Sequence, residues 1–164
     1  MLLYISVYVG IYFNVNELKK STLSLTKHDH ILHNTVKLKI LLAENNHAKA
    51  KALISILTNT EYDIHHIAHS GVPLLKDVEQ LNPDIIIIDI ESPDRDMLEN
   101  LNKISQFAPK PIIVFSEQQH PNPTINQLVK SGVSAYVVGE VSQQRVKSVV
   151  EVAIARFGVF QGLK

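Results

Sequence analysis

Residues 84–89 read Asp-Ile-Ile-Ile-Ile-Asp, an unbroken apolar run closed by a carboxylate. A strand with one wet face alternates apolar and polar residues, so a continuous run indicates a central strand covered on both faces by helices. Working outward, strand-like runs recur at Leu38 to Ala43, Tyr62 to Ala68, Ile112 to Phe115 and Ala135 to Val138. Segments of helical period separate them. The first starts near Asn46, which with Asn45 is a possible cap, and carries Ala48, Ala52, Leu53, Ile56 and Leu57 as its inner stripe. The next run from Ser70 to Leu81, where Asn82-Pro83 breaks the helix, from Asp96 to Phe107, and from Thr124 to Ser131, stopped by Gly132. The last, Gln143 to Phe160, lines up Val146, Val149, Val150, Ala153, Ile154 and Phe157. Five βα units in about 125 residues predict an α/β fold: a flavodoxin-like, doubly wound five-stranded parallel sheet of order 2-1-3-4-5.

The 164 residues carry 16 Lys+Arg against 16 Asp+Glu, are 45% hydrophobic and include no cysteine. Zero net charge disfavours a direct grip on nucleic acid or on an anionic membrane, since either usually needs a basic face. Lack of cysteine excludes disulfides, thiolate metal sites and a thiol nucleophile, and is compatible with a cytoplasmic address. Met1 to Phe13 is apolar, but falls short of the ~20 residues that span a bilayer, and Lys19 and Lys20 follow it rather than precede it. Residues 1–36 are therefore expected to be an appended surface strand or helix, 37–160 the domain, and 161–164 a C-terminal stub.

Ligands of open parallel sheets bind beyond the carboxyl ends of the strands, where strand order reverses. That rule brings Glu44 and Asn45 opposite Asp89, adds Ser116 from the fourth strand, and adds the Val138-Gly139-Glu140 corner from the fifth. Adjacent carboxylates repel unless a proton or a cation lies between them, and an oxygen-only ligand set suits a hard, partly hydrated ion such as Mg²⁺.

At this constellation the sequence resembles a response-regulator receiver domain. The stretches IIIIDIESPDRDMLENL (85–101), PKPIIVF (109–115), SGVSAYVV (131–138) and VAIARFGVFQ (152–161) resemble the amidase- and nitrate-regulator (AmiR/NasT) family of antitermination regulators, in which a receiver-like domain precedes an RNA-binding ANTAR domain. The resemblance covers Leu38 to the C-terminus. It implies Asp89 as phosphoryl acceptor, and Glu44, Asn45, Asp89 and the Glu91 carbonyl around Mg²⁺. Ser116 and Tyr136 become the switch pair, and the partner a sensor histidine kinase or an inhibitory sensor protein. Two departures stand out. Asn45 contributes an oxygen but no charge, so Mg²⁺ should bind more weakly; and Gly139 occupies the place of the lysine that pairs with the phosphoryl group in receivers. Arg95, in the loop after Asp89, is a candidate substitute, although a surface pair with Asp94 or Asp96 is its plainer role.

Plainer readings exist for the other residues too. Glu44 and Asn45 can cap a helix, Ser116 can be a loop hydroxyl, and Tyr136 can be core. His28, His30 and His33, or His65, His66 and His69, invite a metal site, but neighbouring strand residues face opposite ways and cannot share one ion. No phosphate-binding glycine loop or nucleophile elbow is present, and a signalling module is expected rather than an enzyme. The apolar side of the last helix extends past what one sheet requires, through Phe157 and Phe160, which points to homodimerisation in preference to folding back on the N-terminal segment. In the resembled family this helix leads into the output domain, which is expected to be missing from a chain stopping at Lys164. Two versions stay open: a phosphorylatable receiver of low affinity, and a pseudo-receiver that works by binding a partner.

Overall fold

The structure, a computed structural model, describes residues 4–7, 11–14, 37–58, 62–68 and 74–162. Elements follow in the order β1 (Tyr4–Val7), β2 (Ile11–Asn14), β3 (Leu38–Ala43), α1 (His47–Thr58), β4 (Tyr62–Ile67), α2 (Leu74–Leu81), β5 (Ile85–Asp89), α3 (Arg95–Phe107), β6 (Ile112–Ser116), α4 (Asn122–Lys130), β7 (Ala135–Val138) and α5 (Gln143–Gly162). The sheet order is β1-β2-β7-β6-β5-β3-β4. Its five parallel strands, β3 to β7, have the expected flavodoxin-like order 2-1-3-4-5. The N-terminal residues add a hairpin whose second strand runs antiparallel to β7, pairing Ile11 with Val137, so the sheet has seven strands rather than five.

The isoleucine run does what its composition requires. Ile86 and Ile88 pack with Leu41, Ala43, Leu101 and Ile104 on the face covered by α2, α3 and α4. Ile85 and Ile87 pack with Ile40, Leu42, Leu53 and Val150 on the face covered by α1 and α5. Burying each of these side chains contributes about 1.5–3 kcal/mol, which fixes the strand at the centre and its last residue, Asp89, at the carboxyl edge.

Two helices differ from the sequence reading. On α1 the buried residues are Ala50, Leu53 and Leu57, while Ala48 and Ala52 are exposed. The stripe is rotated because α1 approaches the sheet along the shorter i, i+3, i+7 line, which leaves Ala52 and Ile56 to line a cleft. The fourth helix begins earlier, at Asn122, with Pro at its start and Gly132 just beyond its end at φ 97°. The Val133 amide there donates to the Leu128 carbonyl, the hydrogen bond of a left-handed helix stop. Val146, Val149, Val150 and Ala153 of α5 are buried as the pattern anticipates.

Candidate functional site

β3 and β5 are direct neighbours, pairing Ala43 with Ile88, so the residues that follow each strand emerge together. Glu44 is almost fully buried, and its carboxyl group lies on the same cavity wall as that of Asp89, close enough for the two charges to act on each other. The Asp89 carboxyl is pushed up to about 7, by burial first and by the Glu44 charge second, with Lys49 pulling it down. The Asn46 amide donates to Glu44 Oε1 at 2.5 Å, and His66 Nε2 meets the Glu44 carbonyl at 3.0 Å. Capping of α1 falls to Asn46, whose Oδ1 accepts from the Ala48 and Lys49 amides, and not to Asn45, which is exposed.

Asp89 stands between two cavities. One, of about 550 Å³, is walled by Glu44, Asn45, Glu91 and Asp94. The other, of about 410 Å³, is walled by Lys49, Ser116, Glu117, Gly139 and Glu140. Lys49, from the first turn of α1, sends its ammonium to Glu91 Oε1 at 3.1 Å and to Glu117 Oε1 at 3.0 Å. The hydrogen bond to Glu117 is the largest of the influences that raise its pKa.

The β6–β7 side is a hydrogen-bond network of Ser116, His120 and Tyr136. Ser116 Oγ donates to the Gln118 carbonyl at 2.8 Å. Tyr136 is buried, its hydroxyl 2.6 Å from His120 Nδ1 and 3.2 Å from the Gln118 carbonyl. His120 Nε2 reaches the Glu91 carbonyl at 2.9 Å. A carbonyl only accepts, so His120 Nε2 donates to Glu91, while the Tyr136 oxygen accepts from the His120 backbone amide at 3.2 Å and its hydroxyl donates to the Gln118 carbonyl. Tyr136 is thereby core and network at once.

Gly139 follows β7 at φ 92°, a backbone conformation that L side chains rarely adopt. The Arg145 guanidinium beside it donates to the Val138 carbonyl at 2.6 Å and the Glu140 carbonyl at 2.9 Å, holding this corner by its backbone. Arg95 opens α3 on the surface, lines neither cavity, and acts electrostatically on Glu99 one turn along. Asp94 caps α3 through the Met97 amide. His65 bonds Asp63 while His66 turns to Glu44, as expected of neighbours on a strand. His28, His30, His33 and His69 lie outside the described residues.

These features, an acid pair at the switch of a β-sheet of order 2-1-3-4-5 and a hydroxyl after the next strand, coincide with a sequence match to the response regulator receiver domain over residues 40–151. The chain belongs to the response regulator receiver domain family. It is 34% identical over 82 residues to a protein-glutamate methylesterase/protein-glutamine glutaminase of Trichodesmium erythraeum, an alignment covering 49% of this chain and 23% of that protein. It is 29% identical over 104 residues to the uncharacterized transcriptional regulatory protein YhcZ of Bacillus subtilis, covering 60% and 47%. These alignments thus span less than half of either relative. A CheY-like response regulator receiver domain protein from Methanospirillum hungatei superposes with a TM-score of 0.64 at 18% identity, covering 74% of this chain and 97% of that one, a likeness of fold.

The receiver's donor set fits a divalent cation. Two carboxyl groups whose charges repel at one cavity wall can be bridged by a metal ion, and the Glu91 carbonyl keeps a second lone pair beside its bond to His120. Among the described residues no three His, Asp or Glu side chains converge, so water would complete the shell, as Mg²⁺ prefers. Sequence reading missed two receiver residues here, Lys49 and His120. The signal for His120 was its place in SEQQHP, the loop after the fourth strand, where the topology rule already located the rim.

Proposed function

We propose that the chain is a phosphoryl-accepting receiver with Asp89 as acceptor. The observation that carries this reading is that Glu44 and Asp89 line one cavity at the carboxyl edge, with open space on both sides of Asp89. An Asp89 carboxylate oxygen attacks the phosphorus of a phosphohistidine. The P–N bond breaks with its electron pair going to the imidazole, and an acyl phosphate results. Glu44, Asn45, Asp89 and the Glu91 carbonyl would hold Mg²⁺, which when bound neutralises charge on the transferring oxygens. Ser116 and Tyr136 read the new charge: the Ser116 hydroxyl exchanges the Gln118 carbonyl for a phosphoryl oxygen, loosening the loop that anchors Tyr136.

Receivers take their signal from sensor histidine kinases, and the kinase or an inhibitory sensor is the partner in this reading. Likeness to antitermination regulators over 85–101, 109–115, 131–138 and 152–161 supports an output of that kind, delivered by an ANTAR-type module outside these residues rather than by RNA binding of this chain. The apolar side of α5, running to Phe157, supports homodimerisation. Among the described residues no helix is long and apolar enough to cross a membrane.

Incubation with Mg²⁺ and acetyl phosphate, followed by intact mass, tests the reading. One phosphoryl adduct of about 80 Da on the wild type, absent from Asp89→Ala, is expected from acyl-phosphate chemistry. No adduct, with partner binding indifferent to Asp89→Asn, would instead establish the pseudo-receiver, the reading that Gly139 at the lysine position favours.

A further inference from the structure

We propose that Lys49 supplies, from helix α1, the cation that pairs with the phosphoryl group on Asp89. The inference rests on Asp89 as acceptor and goes on to name the residue that replaces a missing partner. With the cavity of Glu44, Glu91 and Asp94 given to the metal ion, the phosphoryl oxygens on Asp89 that face away from it have room in the other, beside Ser116 and Gly139, where Glu117 and Glu140 make a cation necessary. Gly139 offers that space no side chain, and its positive φ makes it a poor host for one. Arg145, nearby, is directed at the Val138 and Glu140 carbonyls.

Lys49 is different. The Asn46 cap fixes its backbone, and its ammonium bridges Glu91, two residues after Asp89, and Glu117, one after Ser116. It therefore spans the two loops between which the phosphoryl group must lie, and its charge already acts on Asp89. Both glutamates are largely in solvent, with side-chain exposures of 82% and 71%, so their ion pairs are weak and easily surrendered. A phosphoryl dianion presents more charge and three acceptors to the same ammonium. In the transfer itself Lys49 neither gains nor loses a proton: the oxygen–phosphorus bond to Asp89 forms, the donor's bond to phosphorus breaks, and the ammonium shifts from carboxylates to phosphoryl oxygens.

Titration of the full chain with beryllofluoride in saturating Mg²⁺, followed by NMR, tests this on wild type, Lys49→Met, Lys49→Arg and Asp89→Asn. Lys49→Met is expected to weaken beryllofluoride at least about tenfold, the loss of one charge-assisted contact, while Lys49→Arg retains most of the affinity and the thermal midpoints stay together. Wild-type binding that Asp89→Asn abolishes and Lys49→Met leaves unchanged would overturn the Lys49 assignment and spare the acceptor. Equal weakening by Lys49→Met and Lys49→Arg would also overturn it, since the charge would not be what matters. Absence of beryllofluoride binding and of any acetyl phosphate adduct in the wild type would overturn both.

Discussion

On the Glu44 side of Asp89 the crevice is walled by Glu44, Asn45, Glu91 and Asp94, with no cationic side chain among its described lining residues, whereas the opposite side sets Lys49 among Ser116, Glu117, Glu140 and the bare backbone of Gly139. One aspartate thus faces two electrostatic environments. The acidic wall raises the proton affinity of Asp89 and would welcome a metal ion; the other wall sets one ammonium and a hydroxyl among its carboxylates. The comparison teaches that charge and recognition are separated across a single side chain, so each side can be perturbed on its own.

The largest expected effect on stability breaks the acidic side. Asp89 is pushed up to about 7 from an ordinary 3.8, so the folded protein holds that proton more tightly than the unfolded chain does. Its contribution is fully present below pH 3.8 and is lost as pH rises through 7, so the metal-free protein should lose stability across that window. A shift of this size corresponds to about 4 kcal/mol, which solvent screening of a half-buried group reduces to about 1–2 kcal/mol. Asp89→Asn should flatten the profile and raise the stability at pH 8 by that amount, as urea unfolding at several pH values in EDTA will show. An unchanged slope would mean that Asp89 is not the group being strained.

A smaller effect concerns the network behind Ser116. Tyr136→Phe removes a hydroxyl bonded to His120 and should cost about 1 kcal/mol of unfolding free energy, with His120→Ala costing a similar amount and the double variant less than their sum. Strict additivity in that cycle would dissolve the proposed network. The smallest effect is that of Arg95→Ala, which should change stability by under about 0.5 kcal/mol and leave the adduct yield intact. A reduced yield would return Arg95 to the site.

The strands and their order were legible because an apolar run such as Ile85 to Ile88 has few alternatives to a covered central strand, and order follows from connection rules. The meeting of Glu44 and Asp89 followed from the same rule, without any side-chain information. What escaped were contacts made across loops. Lys49 looks like an ordinary exposed helix residue until the turn of α1 is fixed, and the expected inner stripe of that helix holds at Leu53 and Leu57 but has Ala48 and Ala52 where Ala50 is buried. His120 became visible only once Tyr136 and the Glu91 carbonyl were placed in space. Gly139 was read as a missing lysine, yet its positive φ shows a position shaped for glycine, which sequence alone does not reveal.

The hairpin laid along β7 has a consequence for how this sheet meets other chains. An unpaired outer strand exposes a row of amide and carbonyl groups that can template uncontrolled intermolecular pairing. With β2 pairing β7 at Ile11 and Val137, part of that row is met by the protein's own backbone, and the outermost strands become β1 and β4. Any molecule that binds by contributing a strand must add outside the hairpin, dock beside β4, or peel the hairpin away first.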